Sequence, residues 1–150
     1  MTASDLIPAM QLALGPIDLN PAACVDMPIA ANRSLTPSQG LNTAWKGVVC
    51  VVPPYDRDLA LWVRKLTVEY ASGRLRAGLA VLPARTDSRW FSQLEAAAFC
   101  FVRGRLRFGN AERPAPFGSL IAHVGAHRGR FAEVFAAYGQ VCVPTGRAAA

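Results

Sequence analysis

Short apolar runs alternate along this chain with segments whose apolar residues recur at helical spacing. Gly47–Val52 (GVVCVV) is apolar on both faces and rich in β-branched residues, the pattern of a strand covered on both sides of a sheet. Leu75–Leu82 is the next such strand. Pro53-Pro54 and Pro83 end the two runs, because proline donates no ladder hydrogen bond. Between them, Leu59, Trp62, Val63, Leu66 and Tyr70 share one helical face, while Arg57, Arg64, Lys65 and Glu69 lie off it. That spacing predicts a helix over Asp58–Ser72, with Asp58 as its N-cap and Gly73 as its stop. Arg89–Phe99, carrying Trp90, Phe91 and Leu94, predicts a second helix. Arg130–Tyr138 predicts a third, with Phe131, Val134, Phe135 and Tyr138 on one face. Further strands are expected at Phe99–Val102, Leu106–Phe108 and Ser119–Gly125, and a short one within Gly15–Pro21. Residues 22–46 are rich in Pro, Asn, Ser and Thr and read mostly as loop, with a helical turn around Thr36–Leu41.

Strands alternating with helices predict an α/β domain with a largely parallel sheet. The 150 residues suffice for one domain, expected over residues 1–145, with 146–150 as a disordered tail. Ligands of such sheets sit beyond the carboxyl ends of the strands. Two loops are expected there, Pro53-Pro54-Tyr55-Asp56 and Pro83-Ala84-Arg85-Thr86-Asp87.

Composition narrows the picture. With 52% hydrophobic and 17% charged residues, the chain is not intrinsically disordered. No apolar run approaches the roughly 18–20 residues that span a bilayer. The apolar stretch Leu6–Ile17 has no basic residue before it, so it lacks the start of a signal peptide, and a cytoplasmic protein is expected. Cys24, Cys50, Cys100 and Cys142 form no paired motif and read as reduced thiols, Cys50 and Cys100 buried. The net charge of +6 is uneven: residues 1–45 hold one arginine against three aspartates, and all the excess positive charge lies beyond them. A basic face of that kind attracts a polyanion, usually nucleic acid, although a GC-rich genome produces such an arginine bias by itself. His123 and His127 have no further ligands at zinc spacing, so no metal is expected. There is no P-loop and no Gly-x-Ser-x-Gly.

The candidate chemistry centres on Val52-Pro53-Pro54-Tyr55. Two prolines after a buried strand fix the backbone and leave carbonyls without ladder partners. The ring that follows is held at the sheet edge, where it suits stacking on an extruded base. Around it, Arg85, Asp87 and Arg89 follow the next strand, as phosphate contacts or as a pair that fixes the loop. Arg103, Arg105 and Arg107 alternate, so in a strand all three project from one face toward a DNA backbone or toward solvent. Trp90 and Phe91 read as helix packing and Trp62 as core. Asp56 reads as part of the capping region of the helix that follows.

Several runs in order, IDLNPAA at 17–23, GL at 40–41 with WKG at 45–47, PPY at 53–55, LPARTDSRWF at 82–91, GRLRF at 104–108 and APFGS at 115–119, resemble the phage-type, Dam-like DNA N6-adenine methyltransferase family over about residues 12–125. The resemblance implies a Rossmann-like, S-adenosylmethionine-dependent methyltransferase fold: one domain, with a mixed sheet and helices on both faces. It implies a catalytic motif at Val52, Pro53, Pro54 and Tyr55, and cofactor binding by Asp18, Asn20, Pro21 and Ala22. It implies DNA contacts from Arg85, Arg89, Arg103, Arg105 and Arg107, in the cytoplasm of a bacterial host. The family has Asn or Asp before Pro-Pro-Tyr, whose oxygen accepts the N6 protons and frees the nitrogen lone pair. Valine at 52 offers no such oxygen. The family usually has Asp where Asn20 stands, and a Thr-Pro segment where this chain has only Ile7-Pro8. The expectation is a methyltransferase homologue with impaired or absent catalysis. The alternative is an inactive methyltransferase-fold binding protein that holds DNA or inhibits a host defence protein.

Overall fold

A computed structural model describes residues 1–144; the expected tail at 146–150 lies outside them. Seven strands form one sheet: β1 (Leu19–Asn20), β2 (Arg33–Ser34), β3 (Gly47–Val51), β4 (Leu75–Pro83), β5 (Ala98–Val102), β6 (Ser119–Gly125) and β7 (Gly139–Cys142). Their order across the sheet is β2-β1-β3-β4-β6-β5-β7. The first four pair in parallel, and β6 runs antiparallel between β4 and β5, with β7 antiparallel to β5 at the edge. The sheet is therefore mixed, with its parallel half on one side only.

Four helices, α1 (Ile7–Leu14), α2 (Pro37–Asn42), α3 (Leu59–Ala71) and α4 (Arg128–Phe135), lie on both faces of the sheet. On one face, Leu6, Met10 and Leu14 of the α1 region and Phe131 and Phe135 of α4 pack on Val48, Cys50, Leu79, Val81, Cys100 and Ile121. On the other, Trp62, Val63 and Leu66 of α3 pack on Val49, Val51, Ala80, Leu82, Leu120 and Ala122. Alternate residues of each strand supply the two cores, which is why these runs are apolar at nearly every position, Arg76, Ser119 and His123 excepted. Burying side chains of this size stabilises by about 1.5–3 kcal/mol each.

The helix predicted over Asp58–Ser72 forms as α3, and Gly73 follows it with φ +85°. Thr36 caps α2, its hydroxyl accepting from the Gln39 N–H while Gln39 accepts from the Thr36 N–H. Three expectations are corrected. Arg89–Phe99 is not an α-helix: only Trp90–Gln93 turns, as a 3-10 segment, because β5 claims the chain from Ala98. Leu106–Phe108 is not a strand; β5 ends at Val102 and Gly104 takes φ +77°, which turns the chain out of the sheet. The sheet is also less parallel than expected, since all its pairings beyond β4 are antiparallel. No helix among the described residues is long and apolar enough to cross a membrane.

At the opposite end of the sheet from the Pro-Pro loop, Glu69 of α3 is buried and accepts from the Trp45 N–H and from Arg74, with Lys65 Nζ at 3.8 Å. Burial works against its charge, but the Arg74 hydrogen bond, the Trp45 N–H and Lys65 together hold its pKa below the usual range. This network clamps the entry of β3 to α3.

Candidate functional site

The antiparallel β6 sends β5 in the same direction as β3 and β4, so the carboxyl ends of β1, β3, β4 and β5 lie along one edge. The loops 21–32, 52–58, 84–97 and 103–118 leave from that edge. They bring together the runs that sequence reading singled out separately.

Val52, Pro53, Pro54 and Tyr55 line a cleft of about 360 Å³ whose other walls include Ala22, Asp26, Met27, Pro37 and Phe108. The Val52 side chain packs against the apolar core that holds α1. Tyr55 is half-buried. Its hydroxyl donates to the Val81 carbonyl at 2.8 Å, and its ring meets Phe108 and Phe117 edge-on at centroid distances of 5.4 and 5.8 Å. Burial pushes the phenol pKa well above its ordinary range, so Tyr55 stays neutral. Asp56 accepts from the Asp58 N–H at 2.8 Å at the start of α3, which commits it to the helix entry.

The four residues expected to hold a cofactor are divided. Ala22 lines the cleft. Pro21 is buried beside α2, where a Cβ on Gly40 would fall 1.8 Å from its carbonyl oxygen. Asn20, buried at the end of β1, accepts from the Ala22 N–H at 3.2 Å. Asp18 stands at the other end of β1, where it accepts from the Val48 N–H at 2.8 Å and from Asn32 Nδ2 at 3.3 Å. The structure does not bring it to the cleft.

The arginines are exposed. The Arg85 guanidinium lies over the Phe117 ring at 5.3 Å, which ties it to the aromatic cluster around Tyr55. No ion pair links Asp87 to Arg85 or Arg89 among the described residues; Ser88 Oγ, donating to the Arg85 carbonyl at 2.5 Å, fixes that loop instead. Arg103, Arg105 and Arg107 do not share a strand face, because their segment is not a strand. The Arg107 backbone bonds Met1 and Ala3, with its N–H donating to the Met1 carbonyl at 3.1 Å and its carbonyl accepting from the Ala3 N–H at 2.7 Å. All three side chains reach solvent.

Sequence reading missed Asp26, Met27 and Cys24 as cleft residues. They lie in a loop with no periodicity, which a bridge between Cys24 and Met27 and the buried side chains of Met27 and Ile29 organise. Trp90 packs in the core beside α3, and no group of three or more His, Cys, Asp or Glu among the described residues is arranged to hold a metal ion. No protein-family model matches the chain, and no curated protein matches it.

Proposed function

We propose that the chain is a DNA-binding protein of the Dam-like adenine methyltransferase lineage, on a methyltransferase-type mixed sheet, whose cleft receives an extruded base and whose methyl transfer is impaired or lost. The observation that carries this reading is Val52: an aliphatic side chain packed on the core occupies the position that must grip the adenine amine. Tyr55 offers no substitute, since its hydroxyl is given to Val81. Losing one preorganised partner of a transition state costs about 10²–10³ in rate.

Support for base binding comes from the cleft walls. They are largely apolar, a planar aromatic residue stands among them, and arginines ring the same edge of the sheet. S-adenosylmethionine would bring a planar purine, which suits these walls, and an activated methyl group for transfer. Its cationic end finds a poorer fit. Asn20 is neutral, Asp18 is turned to Val48, and Asp26 is the sole carboxylate among the cleft's lining residues.

The test is calorimetric titration of the purified chain with S-adenosylmethionine, beside methyl transfer to unmodified duplex by the wild type and Val52→Asn. The expected result is weak or absent cofactor binding and little or no transfer by the wild type, with duplex binding retained. Measurable wild-type transfer at a rate that Val52→Asn does not raise, or no binding of duplex by the wild type, overturns the reading.

A further inference from the structure

Away from the cleft, the outer part of the sheet carries an aromatic track. Phe99 and Phe101 of β5 project to the same face, and the register places Phe101 between Leu120 and Gln140 and Phe99 between Ala122 and Cys142. Phe91, from the 3-10 turn, stacks on Phe99 at 5.2 Å and 27°, and Phe99 stacks on Phe101 at 5.8 Å and 25°. Leu120 and Ala122 belong to the core under α3, but toward β7 the face opens: Gln140 and Cys142 are exposed, while Val141, pointing the other way, packs on the opposite core. Helix α4 packs against β5 and β7 from that opposite side. Two grooves run along the rings. One, of about 330 Å³, is lined by Phe91, Phe99, Cys142 and Val143, with the Glu95 carboxylate at its wall; the other, of about 490 Å³, by Phe101, Arg103, Gly139 and Gln140.

We infer that this track binds an unpaired nucleic-acid strand, its bases stacking on Phe91, Phe99 and Phe101 and its phosphates led in by Arg103. Two features select this occupant. Side chains with a π-face and no hydrogen-bonding group accept any base but cannot read one, which suits sequence-tolerant stacking. The track also ends at the carboxyl edge of the sheet on Arg103, whose exposed guanidinium supplies the positive charge a phosphate backbone requires. Duplex DNA presents no free base faces and is not the ligand of this surface. The inference does not depend on the cleft reading, because the two sites share no lining residue.

Two exposed thiols report on the two sites separately. Cys142 stands on the track and Cys24 on the cleft, whereas Cys50 and Cys100 are buried. The experiment is maleimide labelling of the full chain, read by peptide mass, with and without a single-stranded oligothymidylate of about 12 nucleotides. The expected result is at least about fivefold slower labelling of Cys142, and loss of that protection in Phe99→Leu/Phe101→Leu. That variant keeps an apolar side chain at each position and removes the rings, and its affinity for the oligonucleotide falls about tenfold. Unchanged Cys142 labelling in the wild type overturns the inference, and does so without touching the cleft reading if Cys24 alone is protected. Protection that persists in the double variant also overturns it. So does protection of Cys142 that needs no oligonucleotide and rises with protein concentration together with a doubled mass in light scattering, which assigns the track to a second copy of the chain. Loss of Cys24 protection by duplex, with Cys142 still protected by the single strand, removes the cleft reading and leaves the track.

Discussion

The Tyr55 hydroxyl and the Val81 carbonyl are joined at 2.8 Å, so the loop that leaves β3 is pinned to the interior of its neighbour β4. The bond fixes the ring plane between Phe108 and Phe117 and removes the phenol from any role as acid or base. Tyr55→Phe keeps the ring and loses the bond. It should lower stability by about 1 kcal/mol in urea denaturation and change duplex affinity by less than about twofold. Tyr55→Ala removes the ring as well, and should cost about 3 kcal/mol and about tenfold in affinity. Equal affinities for the two variants would remove the ring from the binding surface.

Arg103, Arg105 and Arg107 reach solvent without ion pairs among the described residues. Replacing all three with Gln should flatten the slope of log affinity for duplex against log salt by about 2–3, with the thermal melt unmoved. An unchanged slope excludes them as phosphate contacts.

His123 is fully buried in β6, stacked on Phe131 at 4.9 Å, and neither ring nitrogen has a hydrogen-bond partner. Burial pushes its pKa from 6.5 down to about 4, with Arg128 and His127 adding to the push. The ring is neutral in the fold, while the unfolded chain takes up a proton below about 6.5. Stability is therefore full above that pH and falls as pH drops toward the folded value. The loss should be about 2 kcal/mol between pH 7 and pH 5. His123→Leu should hold a constant urea midpoint through that window; a midpoint that falls as in the wild type assigns the acid sensitivity elsewhere.

Gly40 lets α2 touch the chain at Pro21, where an added Cβ would lie 1.8 Å from a carbonyl oxygen. Gly40→Ala should therefore cost about 2 kcal/mol or more in thermal or urea unfolding and shift the cleft wall at Ala22 and Pro37. A melt equal to that of the wild type would mean that the two segments separate freely.

The strands β3, β4 and β6 and the helix α3 were legible because burial on two faces, or on one helical stripe, leaves an unbroken signature. Helix α1 was not. Its sequence IPAMQLAL has a single polar residue, so no polar face marks a helical period, although Pro8 at its start and Gly15 at its end are orthodox signals. The edge strands β2 and β7 are two and four residues long, too short for alternation to show. The Pro-Pro-Tyr loop and its neighbours were legible as separate runs. Their assembly was not, because it depends on β5 running in the direction of β4 across the reversed β6, which returns the chain to the carboxyl edge. The alternation of Arg103, Arg105 and Arg107 misled for a local reason: a glycine in a left-handed turn cancels the period-two rule at once.

The Arg107 backbone is held by main-chain atoms of Met1 and Ala3, and its neighbours Leu106 and Phe108 pack on the core. The exposed side chains of Arg105 and Arg107 make no hydrogen bond or ion pair in that attachment among the described residues. Charge at this rim can thus drift, be reversed or be redesigned while the scaffold stays intact, and affinity for a polyanion becomes a trait that selection can tune separately from folding.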